Sequence, residues 1–116
     1  MPPANLVIKR METKTEYQKV RLHRTGNRPL AFSGRKVASA STKSTVSTRW
    51  TKVQVYETDN GRIVVGVGYI TKWEGETDRF YVDVFGTRED AVSHIYRHAG
   101  LLADEIADEL GVTKHL

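Results

Sequence analysis

Two stretches of alternating apolar and polar residues, Trp50 to Thr58 and Arg62 to Thr71, flank the tripeptide Asp59-Asn60-Gly61. Alternation of this length marks a strand with one buried face, and Asn-Gly between two such runs marks a hairpin. The register of that hairpin constrains everything around it. A two-residue Asn-Gly loop would set Val55 opposite Gly66 and Val53 opposite Gly68. It would also set Gln54 and Lys52 opposite Val67 and Tyr69, mixing polar and apolar groups on both faces. A three-residue loop with Gly61 in the left-handed conformation shifts the pairing by one. Val55 then faces Val65, Val53 faces Val67, and one face is apolar throughout. A slip of one residue carries a strand's apolar set to the wrong side, so the second pairing is expected.

That register leaves Gly66 and Gly68 on the other face, beside Lys52, Gln54 and Tyr56. Two glycines spaced by two make a shallow groove across a strand. Glycine in a strand marks a bulge or the close approach of another backbone or a ligand. The plain alternative is an aromatic ring or a helix laid over the bare backbone.

Residues 1–16 are polar and mixed, and read as a mobile tail with a short strand at Leu6-Val7-Ile8. Residues 17–116 read as a single α+β domain. From Tyr17 the pattern alternates: Val20 and Leu22 point one way, Lys19, Arg21 and His23 the other. Thr25-Gly26-Asn27-Arg28-Pro29 is turn chemistry. Leu30-Ala31-Phe32 resumes an apolar stretch that Ser33-Gly34-Arg35-Lys36 interrupts, with Val37 to Ala40 pairing back. Ser39 to Thr48 reads as a flexible loop, although its threonines also suit an exposed strand. Trp73 to Asp78 is a loop, and Phe80, Val82 and Val84 alternate with Tyr81, Asp83 and Phe85 in the next strand. Thr87 with Asp90 three residues on resembles a capping box. Ala91, Val92, Ile95 and Ala99 share a helical face, and Gly100 suits the position past its C-terminus. Leu102, Ile106 and Leu110, spaced by four, mark a second helix that Gly111 closes. The expected fold is thus α+β: an antiparallel sheet of about four to five strands followed by two short C-terminal helices.

Charge divides the chain. Residues 1–55 hold twelve Lys and Arg against Glu12 and Glu16, a net +10; residues 56–116 hold six against twelve Asp and Glu, a net −6. Such asymmetry points to a polyanion-binding surface. It also suits basic and acidic strands lying side by side, where opposite charges across strands contribute about 0.2–1 kcal/mol. Cysteine is absent, which excludes disulfides and thiolate zinc sites and fits a reducing, cytoplasmic setting. Neither a signal peptide nor a membrane span is expected, since no run of about 18 apolar residues occurs.

Motifs that carry chemistry are incomplete. Glu105 to Thr113 looks like the first helix and turn of a helix-turn-helix, but no reading helix is expected after Gly111, and the helix is acidic. Glu74, Glu76 and Asp78 could offer oxygen ligands to a divalent cation or an acid–base pair beside Trp73. Alternating acids with glycine are equally ordinary loop chemistry, and no metal or cofactor is expected. His94 and His98 share a helix face at ligand-compatible spacing. The usual zinc partners are missing, so the expected pair is two surface histidines near a helix C-terminus, where the dipole favours them.

The basic half remains. Lys19, Arg21, His23, Arg24, Arg35, Lys36, Arg49 and Lys52 are the expected nucleic-acid-binding residues, interleaved with Tyr17, Phe32, Trp50 and Tyr56. Cations neutralise phosphates and rings stack on exposed bases, a combination suited to single strands or RNA.

Arg49-Trp50, then Val53, Val55, Tyr56, Thr58, Gly61, Val64 and Val65, then Tyr69-x-Thr71-x-Trp73-x-Gly75-Glu76-x-Asp78, resembles a pattern in small uncharacterised bacterial proteins. Leu22-His23-Arg24-Thr25-Gly26 and Pro29-Leu30 extend the resemblance over roughly residues 20–80. It implies a compact bacterial, phage or plasmid accessory protein and nothing about catalysis. The leading expectation is a small non-enzymatic binding protein acting through a basic sheet face on nucleic acid or a nucleoprotein complex. The alternatives are a protein-interaction module or homodimer pairing basic and acidic halves, and an enzyme using the Trp73–Asp78 loop.

Overall fold

A computed structural model describes residues 16–113. The strand expected at Leu6–Ile8, and the expected tail apart from Glu16, lie outside those residues. Five strands, β1 (Gln18–Arg24), β2 (Asn27–Ser41), β3 (Arg49–Thr58), β4 (Ile63–Thr71) and β5 (Arg79–Phe85), precede two helices, α1 (Arg88–His98) and α2 (Gly100–Leu110). The strands form one antiparallel sheet in the order β1-β2-β3-β4-β5. Among the described residues no helix is long and apolar enough to cross a membrane.

The β3–β4 hairpin has the register that burial demands. Val53 pairs with Val67 and Val55 with Val65. Gly61 turns the chain at φ +83°, and Thr58 donates its amide to the Arg62 carbonyl at 2.8 Å. The Thr58 hydroxyl accepts the Arg62 amide at 2.9 Å, closing the three-residue loop. The resulting valine face meets both helices. Ala91, Val92 and Ile95 of α1 and Leu102, Ala103, Ile106, Ala107 and Leu110 of α2 join Ala38, Val53, Val55, Ile63, Val65 and Val67 in one core.

The helix ends follow their sequence signals with one exception. Thr87 caps α1, its hydroxyl accepting the Asp90 amide at 3.1 Å. Gly111 ends α2 in the left-handed conformation, as C-terminal glycine does. Gly100, expected to terminate α1, is instead the first residue of α2. Ala99 alone is the joint: its amide bonds to the Ile95 carbonyl at 2.7 Å and its carbonyl accepts Leu102 at 2.9 Å.

β2 also differs from expectation. It runs without a break from Asn27 to Ser41, so Ser33-Gly34-Arg35-Lys36 and Ser39–Ser41 are strand, and the loop is confined to residues 42–48. An irregularity between Lys36 and Ala38 absorbs one residue, a bulge that bends the strand. Gly34 is not a break but a close approach. A Cβ there would lie 2.8 Å from the Phe32 ring and 2.9 Å from the Glu57 carbonyl oxygen.

The sheet coils strongly enough for its outer strands to approach one another. Thr25 donates its amide to the Phe80 carbonyl at 2.9 Å, and Phe80 returns its amide to the Thr25 hydroxyl at 2.8 Å. The β1–β2 hairpin therefore folds over the sheet face opposite the helices. Phe32 meets Tyr56 edge-on at 5.5 Å, and Tyr56 and Val64 are buried there, outside the helix-side core.

Glu57 joins the layers. One carboxylate oxygen takes Arg35 at 2.8 Å and the other takes Arg88 at 3.1 Å. Arg88 also donates to the Leu110 carbonyl at 2.8 Å, satisfying an end carbonyl of α2 that lacks a helical partner. The Arg35 hydrogen bond holds the Glu57 carboxyl below the usual range, against the opposing pull of burial. Removing one member of such a cluster strands the others. Glu57→Ala is expected to lower the unfolding free energy by about 2 kcal/mol in urea titration. Gly61→Ala is expected to cost about 1–2 kcal/mol in the same measurement, since alanine resists positive φ.

Candidate nucleic-acid interface

The eight basic residues singled out from sequence separate into two groups. Arg35 is held by Glu57, as described. Arg49 is paired with Glu76, its Nε 2.9 Å from Oε1, and its guanidinium lies 5.8 Å from the centre of the Trp73 ring. Arg35 thus balances charge across strands, and Arg49 between β3 and the loop before β5. Arg24 is turned back on its own hairpin, donating to the Arg28 carbonyl at 2.6 Å. The other five, Lys19, Arg21, His23, Lys36 and Lys52, make no ion pair among the described residues.

Three of those five converge. The coil of the sheet brings β1 to β5, and between them a cavity of about 180 Å³ opens onto the glycines of β4. Arg21, His23 and Lys52 stand around it. The His23 ring meets Phe80 edge-on at 5.4 Å, and the Lys52 ammonium lies 5.9 Å from the centre of the same ring. Leu22 and Val82 supply apolar wall, and Gln54 a single amide. Lys52, Gln54 and Phe80 also line a second, wider depression that continues to Lys43 and Trp50. There the ammonium groups of Lys43 and Lys72 lie 4.8 and 5.7 Å from the Trp50 ring centre. Lys19, Arg21 and Lys36 border a third depression on the other side, beside Tyr56. The Lys36 ammonium lies 5.8 Å from the Tyr56 ring centre. Lys36 and Lys52 thus stand with Trp50, Tyr56 and Phe80 on the face away from the helices, with Lys43 and Lys72 beside Trp50, while Lys19, Arg21 and His23 alternate with Val20 and Leu22 and reach these depressions from the edge strand.

Sequence reasoning placed Lys52 beside Gly66 and Gly68 through the hairpin register. It missed Phe80, whose alternation reads as core, and the pairing of Lys43 and Lys72 with Trp50. Neither has a local signal, because the partners come from different strands and loops.

The acidic loop closes on itself. Glu76 accepts from Arg49 and from the Thr71 hydroxyl at 2.6 Å, and Asp78 accepts the Thr71 amide at 2.9 Å. Among the described residues no group of three or more His, Asp or Glu side chains is arranged to hold a metal ion. His94 and His98 are not a plain surface pair. His94 is half-buried against β5, its Nε2 3.2 Å from Asp83 and its ring 4.9 Å from Phe85. Burial lowers its pKa, with Asp83 acting in the opposite sense. Asp83 faces the helices in register with Val65, which draws the imidazole inward. Beyond Gly111, Val112 bonds back to the Ala107 carbonyl at 2.9 Å and packs against the core. The end of α2 is thus a helix stop folded onto the core.

No protein-family model matches the sequence, and no curated protein or solved structure matches it either.

The Arg49 and Thr71 hydrogen bonds, in that order, hold the Glu76 carboxyl at about 2. A depressed carboxyl contributes stability above its unfolded value of about 4.3, and that contribution is lost as pH falls toward the folded value. A carboxyl-detected NMR titration is expected to place the Glu76 midpoint near 2 in the wild type. In Arg49→Ala the midpoint should return toward about 4.3. An unchanged midpoint would show that the pair does not persist in solution.

Proposed function

We propose that the protein is a small non-enzymatic binding protein that engages nucleic acid, single strands above all, through the sheet face turned away from the helices. The observation that carries this reading is the segregation of charge. Arg35 and Arg49 are neutralised by acids of the second half of the chain, whereas Lys36, Lys43 and Lys52, and Arg21 at the edge strand, remain without ion pairs among the described residues and border one band with Phe80 and Trp50. Free cations exchange their counterions for phosphates, and rings beside them stack on unpaired bases. Two acids also border the band, Asp78, which accepts the Thr71 amide, and Glu16, so its positive charge rests on the excess of cations over them.

A second reading is association between two copies. Asp104, Glu105, Asp108 and Glu109 lie exposed on α2, and Leu101 beside them is 92% exposed. That surface complements the basic band of another chain. Sedimentation at two salt concentrations separates the readings: a dimer that dissociates with salt and ignores nucleic acid favours association.

Titration with a single-stranded oligonucleotide and a duplex of equal length tests the leading reading. Four phosphate contacts, from Arg21, Lys36, Lys43 and Lys52, predict a log–log salt slope of about −3 for the single strand. Lys43→Ala with Lys52→Ala should reduce it to about −1.4. No binding to either at low salt would sink the proposal.

A further inference from the structure

The glycines of the chain differ in what requires them. Gly26, Gly61, Gly75 and Gly111 adopt positive φ. Among the strand glycines, Gly34 lies under the Phe32 ring, and a Cβ on Gly68 would come within 3.2 Å of the Phe80 ring and 3.3 Å of Lys52. Gly66 has neither reason. Its φ is not positive, and a Cβ there would meet nothing closer than Leu22 Cδ1 at 3.8 Å, an ordinary contact. Glycine weakens a strand interior, so a bare backbone at the centre of β4 has no return within the protein itself.

What lies over Gly66 is the cavity between β1 and β5. Its walls are apolar, formed by Leu22, Val82 and the Phe80 ring, and its rim carries Arg21, His23 and Lys52. Gln54, paired across from Gly66, offers an amide whose one hydrogen bond among the described residues is from the Tyr56 hydroxyl at 3.4 Å. The volume of about 180 Å³ is below the roughly 300 Å³ at which pockets take a whole drug-sized ligand. It suits one ring system of something that continues outside. Apolar walls for a flat ring, one amide for its edge and three basic groups at the mouth are the complement of a nucleotide unit.

We infer that the cavity over Gly66 receives one unpaired nucleobase of a bound strand, with the adjoining phosphates on Arg21, His23 and Lys52. Phe80 forms the stacking wall and Gln54 meets the edge of the base. This rests on the reading of the basic band as a single-strand surface, and gives that surface a seat for a base as well as a track for the backbone.

The test compares two fluorescently labelled strands of ten units, one of thymidylate and one of abasic deoxyribose phosphate, by anisotropy at low salt. The wild type is expected to bind the thymidylate strand about tenfold more tightly, the scale of one stacked base. Gly66→Val fills the cavity floor while leaving every cation in place. It should bind the abasic strand as the wild type does and lose the cavity's share, about tenfold, of the preference for thymidylate. A folded Gly66→Val that keeps the tenfold preference overturns the inference. Equal affinity of the wild type for both strands overturns it too, while leaving the basic band as a polyanion surface. Binding to neither strand overturns the band and the seat together. Amide NMR on the unmodified protein supplies a check that needs no substitution. The Gly66, Gly68 and Val82 resonances should move with the thymidylate strand and stay with the abasic one, and stationary resonances in both overturn the inference.

Discussion

The turn at Asp59–Gly61 sets the parity of the whole sheet. Because Gly61 accepts a left-handed backbone and Thr58 binds Arg62 through both amide and hydroxyl, β3 and β4 pair with valine opposite valine. A slip of one residue would drive Lys52, Gln54 or the β4 glycines into the layer that the helices cover. β4 passes the same parity to β5, where Val67 pairs with Tyr81 and Gly68 with Phe80. The helix-side core and the cavity on the other face are therefore two consequences of one turn. The valines that α1 and α2 bury alternate with the residues that floor the groove.

Charge then divides along the same faces. Arg35 and Glu57 pair directly across β2 and β3, and Arg88 reaches the same carboxylate from α1. An acid there serves the fold three times over, linking two strands and a helix while Arg88 reaches on to the end of α2. Arg49 and Glu76 do a smaller job at the opposite end, tying β3 to the loop before β5. So the two readings of the +10 and −6 halves apply to different residues. Charge balance within the fold accounts for Arg35 and Arg49. It does not account for Lys52, which sits in a central strand opposite Gly68 and forms no ion pair among the described residues.

What was legible in the sequence is what local chemistry decides. The alternation in β1, β3, β4 and β5, the Thr87 cap, the left-handed Gly61, the helix stop at Gly111, and the spacing of Leu102, Ile106 and Leu110 each act within a few residues, and each stands as read. The misreadings fall where a distant partner decides. Gly34 looks like an interruption until Glu57 and the Phe32 ring are laid against it. Gly100 looks like a helix stop, but a single-residue joint at Ala99 lets α2 start at once. His94 looks like a surface group until Asp83 is found facing it. The site was half legible for the same reason. The hairpin register alone puts Lys52 beside the two glycines, whereas the meeting of Thr25 with Phe80 spans fifty-five positions and follows from the coil of the sheet.

That coil also separates two roles for the basic residues. An open sheet leaves unpaired edges, and charged side chains on an edge strand discourage association with another sheet. Lys19 and Arg21 lie on such an edge, in a strand of seven residues, so their charge has a use that involves no ligand. Lys52 and Gln54 have no such use. They stand on the middle strand of five, where Lys52 lies between Ser41 and Gly68 and Gln54 between Ser39 and Gly66, and they border bare glycine beside a space that the two edges do not close. Had β1 and β5 paired along their length, the barrel would be sealed and the interior would have to be filled by side chains. Among the described residues they meet where Thr25, just past β1, bonds to Phe80 and the His23 ring abuts it, and beyond that point the gap remains, walled by Leu22 and Val82 with Lys52 at its rim. The weight of the functional reading therefore rests on the residues of β3 and β4 that the edge cannot explain, not on the larger number of basic residues along β1.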